Sequence, residues 1–191
     1  VTRGFKDLLV IGNQQRPDLF TLNIRKPEPL CALVEEIDER VAANGSVLTA
    51  LDLASIKRLV ARLRQKRIES VALALLNGFA NPVHEKLLAS ILRGEGFSCV
   101  SVSHELSSQI RLLTRAETTV ANAYLEPIIR AYLSGIKNGL RSSQLSMMTS
   151  SGSLVKTDAY FPKDSLLSGP AGGVVGAAHQ ALRSGEKRIL A

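Results

Sequence analysis

Tryptophan is absent from the 191 residues, and aromatics make up only 4% of them. The core must therefore be aliphatic, built from Leu, Val, Ile and Ala. A groove for single-stranded nucleic acid needs aromatic faces interleaved with cations, and that pattern is missing. No run approaches 18 consecutive apolar residues, which excludes a hydrophobic transmembrane helix. The N-terminus lacks a secretory pattern. The two cysteines, Cys31 and Cys99, are far apart, each in a strand-like apolar run. A disulfide stays open, but the reading adopted is two buried free thiols in a reducing cytoplasm. The three histidines, His84, His104 and His179, have no metal-ligand spacing, so no metal site is expected.

What is present is a globular composition, 45% apolar and 21% charged. The 24 Lys plus Arg against 17 Asp plus Glu leave a net charge of +7. The densest basic cluster is Lys57, Arg58, Arg62, Arg64, Lys66 and Arg67, on one amphipathic helix. It reads as a solvated face whose last cations suit the helix dipole, so no nucleic-acid partner is expected. A non-catalytic basic binding module is the competing reading. The chain opens on Val1, and residues 187–191 read as a strand just starting. Both ends suggest a portion of something longer, although processing would give the same ends.

Residues 4–12 read as a short helix or turn ending at Gly12. A polar stretch then carries Pro17, Pro27 and Pro29, with Arg16, Asn23, Arg25 and Lys26. The prolines forbid a long helix, and either a functional loop or a surface connection fits. Residues 31–37 (CALVEEI) read as a strand, and Asn44-Gly45 as a turn. Asp52 reads as the N-cap of a helix to about Arg67, with Leu53, Ile56, Leu59, Val60 and Leu63 on one face. Residues 71–76 suit a strand covered on both faces. Asn81-Pro82 opens a second helix with Leu87, Leu88, Ile91 and Leu92 as its buried stripe, ended by Gly94 or Gly96. Residues 98–103 form another strand. This alternation predicts a layered α/β unit with a mainly parallel sheet.

Residues 105–114 are ambiguous. A long helix follows from Arg115 to about Gly139, with a kink or break at Pro127. Residues 144–148 read as a strand, and 149–153 (TSSGS) as a small polar loop. A further helix begins near Gly169 and runs to Leu182. No internal repeat or low-complexity segment is evident.

Three features could carry chemistry. Small residues cluster at Ser168-Gly169-Pro170-Ala171-Gly172-Gly173, where a helix starts. They fit an anion site at a helix N-terminus or close helix packing, but not a dinucleotide fingerprint or phosphate loop. Ser150, Ser151 and Gly152 follow a strand, where α/β folds place ligand crevices; a plain turn is the alternative. Arg115, Thr118 and Asn122 open the long helix, the last two sharing one face at i and i+4. From the residues alone the reading stops at an α/β domain that binds a ligand.

Taken in order, these segments resemble the hydantoinase A/5-oxoprolinase family. The carrying residues are Thr2-Arg3-Gly4-Phe5-Lys6-Asp7, Ile11-Gly12-Asn13-Gln14-Gln15-Arg16-Pro17-Asp18-Leu19-Phe20 and Lys26-Pro27-Glu28-Pro29-Leu30. Further along come Asn81-Pro82-Val83-His84-Glu85, Arg115-Ala116-Glu117-Thr118-Thr119 with Asn122-Ala123-Tyr124-Leu125, and Leu167-Ser168-Gly169-Pro170-Ala171-Gly172-Gly173-Val174-Val175-Gly176-Ala177. The resemblance implies part of an actin-like, ribonuclease-H-like ATPase fold with an inserted α/β subdomain. It divides the chain into 1–112 and 113–191, with residues 169–182 as the interdomain connecting helix.

The resemblance further implies ATP-dependent opening of a small cyclic amide, 5-oxoproline or a hydantoin, or else a subunit of a ketone carboxylase. ATP and Mg serve the full-length parent, whose phosphate loops lie outside these residues, so this chain alone is expected to hold no cofactor and show no ATPase activity. Implied partners are a second copy or a hydantoinase B-type subunit, without nucleic acid or membrane. The substrate- or nucleotide-proximal candidates are Arg115, Thr118, Asn122, Ser150, Ser151, Gly152, Ser168, Gly169, Gly172 and Gly173; no catalytic residue is assigned. Ser153 stands where many relatives have a second glycine, and is strained if that position needs a positive φ.

Overall fold

The structure, a computed structural model, describes residues 1–13, 15, 18, 20–140 and 144–190. Arg16 and Pro17, with Gln14 and Leu19 of the resemblance motif, lie outside the described residues. The chain forms two compact units, Val1–Tyr124 and Leu125–Ala191.

The first unit is α/β. Helix α1 (Leu8–Ile11) ends at Gly12, whose φ is 57°. Lys26 Nζ donates to the Ile11 and Asn13 carbonyls and so closes the Pro-rich loop onto that end. The hairpin β1 (Arg40–Val41) and β2 (Val47–Thr49) turns at Asn44-Gly45. Helix α2 (Leu53–Gln65) is capped as its sequence requires, with Asp52 accepting from the Ala54 and Ser55 amides at 3.0 Å each. Those bonds hold the Asp52 carboxyl below its usual pKa. Ile56, Leu59, Val60 and Leu63 are its buried face, while Leu53 is exposed. The helix stops at Arg67, which takes φ 55° while Ile68 N–H returns to the Leu63 carbonyl.

Strand β3 (Ser70–Leu73) leads through residues 74–82 into α3 (Val83–Gly94), and then to β4 (Cys99–Val102). β3 and β4 pair in parallel, Ser70 opposite Cys99 and Leu73 opposite Val102. Every residue of β4 is buried. The aliphatic core joins α2, α3 and β4 through Ile56, Leu59, Leu63, Leu88, Leu92, Val100 and Val102. On α3 the buried stripe differs from expectation: Leu87 is 43% exposed, while His84, Glu85 and Ala89 are buried beside Leu88 and Leu92. One turn separates Glu85, Leu88/Ala89 and Leu92, so these share the inward face.

Residues 31–37 form no strand. Only Ile37 bridges, in parallel, to Thr2, with Ile37 N–H on the Val1 carbonyl and Arg3 N–H on the Ile37 carbonyl. Cys31 is therefore half-buried in a loop, whereas Cys99 is buried in β4; both are free thiols. The ambiguous stretch contains a single turn, α4 (Ser103–Leu106), and the long helix α5 (Leu112–Gly139) starts three residues earlier than expected. It runs through Pro127 without a break.

In the second unit β5 (Ser146–Met148) and β6 (Leu154–Lys156) form an antiparallel hairpin; β6 has no counterpart in the sequence reading. Short 3-10 turns at Thr157–Ala159 and Pro162–Ser165 lead to α6 (Ser168–Ser184), which ends at Gly185 with φ 73°. Residues 187–190 form no strand, and Ala191 lies outside the described residues.

Candidate functional site

The most concentrated chemistry lies at the carboxyl edge of β3 and β4. Glu85, in the first turn of α3, is completely buried. Its Oε1 accepts from Leu75 N–H at 2.8 Å and from the Ser103 hydroxyl at 2.6 Å. Its Oε2 accepts from His104 N–H at 3.0 Å and contacts His104 Nδ1 at 2.7 Å. Gly78 makes room for it: a Cβ there would stand 2.8 Å from the carboxylate carbon.

Arg115, also completely buried, completes the network. Its Nε donates to Ser103 Oγ at 2.9 Å, Nη1 to the Gln109 and Ile110 carbonyls, and Nη2 to the Leu75 carbonyl at 2.6 Å. The guanidinium also lies 5.5 Å from the Phe79 ring centre. Burial pulls its pKa down and the Glu85 charge pushes it back. A guanidinium stays charged under that load.

Proton directions follow from the donor inventory. Arg115 donates to Ser103 Oγ, so the Ser103 proton goes to Glu85, and an ionised carboxylate has only acceptors to offer. His104 therefore carries its proton on Nδ1. A parallel chain runs from Leu76 N–H to Thr2 Oγ1, from the Thr2 hydroxyl to Glu39 Oε1, and from His84 Nδ1 to Glu39 Oε2 at 2.7 Å. Both imidazoles are thus oriented by carboxylates. Neither Nε2 has a protein partner among the described residues, and neither is sealed from solvent.

Sequence reasoning named Arg115 but missed Thr2, Glu39, Ser103, His104 and the roles of His84 and Glu85. The usable signals were the adjacent His84-Glu85 pair at a helix start and Ser103-His104-Glu105 after a strand. On α5, Thr118 Oγ1 bonds the Thr114 carbonyl, and buried Asn122 donates to Ser101 Oγ at 2.9 Å. Arg115 and Asn122 both face the β4 region; Thr118 is half-buried one turn away.

In the second unit the hairpin loop and the α6 start come together. Ser150 donates from both N–H and Oγ to the Asp164 carbonyl, and its Oγ lies 3.4 Å from Leu167 N. Ser151 Oγ meets Thr149 Oγ1 at 2.8 Å. Among the described residues neither serine bonds an imidazole, so no nucleophile-base pair forms here. Gly152, with φ 80°, is the residue that needs glycine: a Cβ would stand 2.9 Å from Val175 on α6. Ser153 has no positive φ and carries no such strain. Gly172 rests on Met148 at ordinary contact distance, but a Cβ at Gly169, Gly173 or Gly176 would meet nothing within 4 Å. Of the four glycines of α6, Gly172 alone has a neighbour in contact.

The basic face of α2 is substantially paired. Arg62 meets Glu35 at 2.9 Å, Arg64 meets Glu95 at 2.7 Å, and Arg58 lies 3.7 Å from Asp52. No helix among the described residues is long and apolar enough to cross a membrane.

Residues 1–96 match the hydantoinase/oxoprolinase N-terminal region, and residues 115–191 match the hydantoinase/oxoprolinase model. The 5-oxoprolinase of Saccharomyces cerevisiae is 38% identical over 92% of this chain, which spans 16% of that relative's length. The ATP-dependent caprolactamase of Pseudomonas jessenii superposes with a TM-score of 0.75 at 25% identity, over 94% of this chain and 28% of its own. An acetone carboxylase gives a TM-score of 0.81 at 22% identity, over 96% of this chain and 29% of its own, a likeness of fold.

Proposed function

The chain belongs to the hydantoinase/oxoprolinase family, and from that membership we propose that it is a portion of an ATP-dependent cyclic-amide hydrolase of the 5-oxoprolinase type. The identity to the yeast 5-oxoprolinase across 92% of the chain carries the reading. The likeness to a caprolactamase, whose name describes another lactam, supports it. A lactam carbon resists water because the ring nitrogen delocalises into the carbonyl. Phosphorylation of the amide oxygen by ATP would remove that protection and let water open the ring.

We read the α/β fold as part of an actin-like ATPase, with α6 as its interdomain connecting helix. Among the described residues no group of three or more His, Cys, Asp or Glu side chains could hold a metal ion. No step through magnesium is assigned to these residues. Their own contribution is positional. Glu85 and Arg115 fix residues 75–79 and the start of α5, which carries Thr118 and Asn122. Ser150 and Gly152 set the hairpin loop against Leu167 and Val175, and Ser150, Ser151 and Gly152 with Ser168, Gly169, Gly172 and Gly173 are the candidates to stand near substrate or nucleotide. The partners proposed are a second copy or a hydantoinase B-type subunit, in the cytoplasm.

The test is an assay of the whole polypeptide in which these residues occur. ATP consumption should depend on 5-oxoproline or hydantoin. Consumption driven instead by acetone and bicarbonate would overturn the hydrolase reading in favour of a carboxylase. The 191-residue chain alone should not turn over ATP, and robust hydrolysis by it would refute the assignment of the phosphate loops to other segments.

A further inference from the structure

A cleft of about 250 Å3 lies between α2 and the segment 36–38 of the first unit. Its floor is aliphatic: Ile37, Ile56 and Leu59 line it, and all three are buried. Its two walls differ in charge. Ser55, Arg58 and Arg62 line the α2 side, with Arg58 and Arg62 at i and i+4 on one helix face. Glu36 and Asp38 line the other side, beside Arg3.

Pairing around the cleft leaves one group of each sign over. Arg3 Nη1 holds Asp38 at 2.9 Å, and Arg62 Nη2 holds Glu35, outside the lining, at 2.9 Å. Arg58 makes no hydrogen bond among the described residues. Its ion pair with Asp52 is 3.7 Å long, and that carboxylate already accepts the Ala54 and Ser55 amides. On the facing wall Glu36 accepts from the Gly4 and Lys6 amides at 2.8 and 3.1 Å, and among the described residues it forms no ion pair. Those amides, Gly4 first, hold the Glu36 carboxyl below its usual pKa, so it stays ionised, and a guanidinium is charged throughout. No hydrogen bond or ion pair among the described residues joins the lining of α2 to the lining of 36–38. Opposite charges therefore face one another across an apolar floor without meeting.

We propose that this cleft binds a free aliphatic α-amino acid, its carboxylate on Arg58, its ammonium on Glu36 and its side chain on Ile37, Ile56 and Leu59. A ligand with a carboxylate alone would stand beside the Glu36 charge, and one with an amine alone beside Arg58, each against like-charge repulsion. A zwitterion answers both walls at once, and an aliphatic side chain covers the floor. The volume is below the ~300–1,000 Å3 of sites for drug-sized ligands, which suits a molecule of this size. The site uses none of the residues placed near substrate or nucleotide under the proposed function, and it does not rest on the hydrolase reading.

The test titrates the 15N-labelled 191-residue chain at neutral pH and constant ionic strength with L-leucine. Isocaproate, isoamylamine and glycine serve as probes that lack the ammonium, the carboxylate and the side chain in turn. Leucine should give saturable shifts of the Ile37, Ser55 and Leu59 amides, and each of the other three should bind more weakly. Arg58→Gln should weaken leucine and isocaproate by about two- to fivefold, the range of an exposed ion pair, and leave isoamylamine unaffected. Glu36→Gln, which keeps an oxygen for the Gly4 and Lys6 amides, should weaken leucine and isoamylamine by a similar factor and leave isocaproate unaffected. Absence of a saturable shift with leucine would overturn the proposal. So would equal binding of leucine and any of the three probes, or variants that do not divide the isocaproate and isoamylamine responses in this way.

Discussion

Replacing Glu85 with glutamine tests the buried network most directly. The side chain keeps its shape, but one oxygen becomes an NH2 donor. Placed at the Oε1 position, that donor faces Leu75 N–H; placed at Oε2, it faces His104 N–H. Either way a buried amide loses its acceptor, at a cost of about 1–3 kcal/mol. Arg115 also loses the only carboxylate that offsets its desolvation. Breaking a buried ion pair in direct contact costs roughly 3–5 kcal/mol. Here Ser103 stands between the charges, so only part of that applies. Together these give a loss of about 3 kcal/mol, a large share of an ordinary domain's ~5–15 kcal/mol. With a urea slope of about 2 kcal/mol/M, the unfolding midpoint of the first unit should fall by about 1.5 M. Amide exchange at Leu75 and His104 should accelerate with it. Arg115→Met should couple to this change, so that the double variant loses less than the two single losses added together. A midpoint shift below about 0.3 M, or strictly additive losses, would refute the network as described.

Other variants probe the local devices. The Asp52 cap is supported by a carboxylate held below its usual pKa, so its contribution is full above about pH 4 and fades as the pH falls through the depressed value. Asp52→Asn should keep α2 capped while flattening that part of the acid unfolding curve; an unchanged curve would contradict this. Arg67→Gly should stabilise by about 0.5–1 kcal/mol, because glycine removes the left-handed penalty of φ 55° but loses more chain entropy on folding. A lower urea midpoint would count against it. Gly152→Ala should destabilise the second unit by at least ~1–2 kcal/mol, since it combines φ 80° with a Cβ 2.9 Å from Val175; wild-type thermal stability would argue otherwise.

The parts legible in the sequence are those that carry their own punctuation. Asp52 capped α2, Asn81-Pro82 opened α3, Gly96, one of the two glycines offered, closed it at φ 91°, and β4 was visible as an apolar run. Each signal lies within one turn of the element it defines. Residues 31–37 show the opposite case: their apolar content suits a strand, but a strand needs a partner, and only Thr2 reaches Ile37. Pro127 was read for its missing N–H, yet α5 continues past it. The site was hardest to see. Glu39 and His84 are 45 residues apart, and Glu85 and His104 are 19 apart, so no local pattern announces either pair. The glycines before and within α6 were visible, but not which one meets a neighbour. That depends on where the hairpin places Met148 and Gly152 against α6.

Glu85 lies in the first matched region, which ends at residue 96, while Arg115 is the opening residue of the second. The negative charge sealed by one is balanced from the other. Chimaeras that splice these regions from different relatives must therefore carry the acid and the guanidinium as a matched set, with Ser103 from the intervening linker. Ancestry would be expected to transmit the two regions jointly, since neither could drift at this position without leaving its neighbour with an unanswered charge.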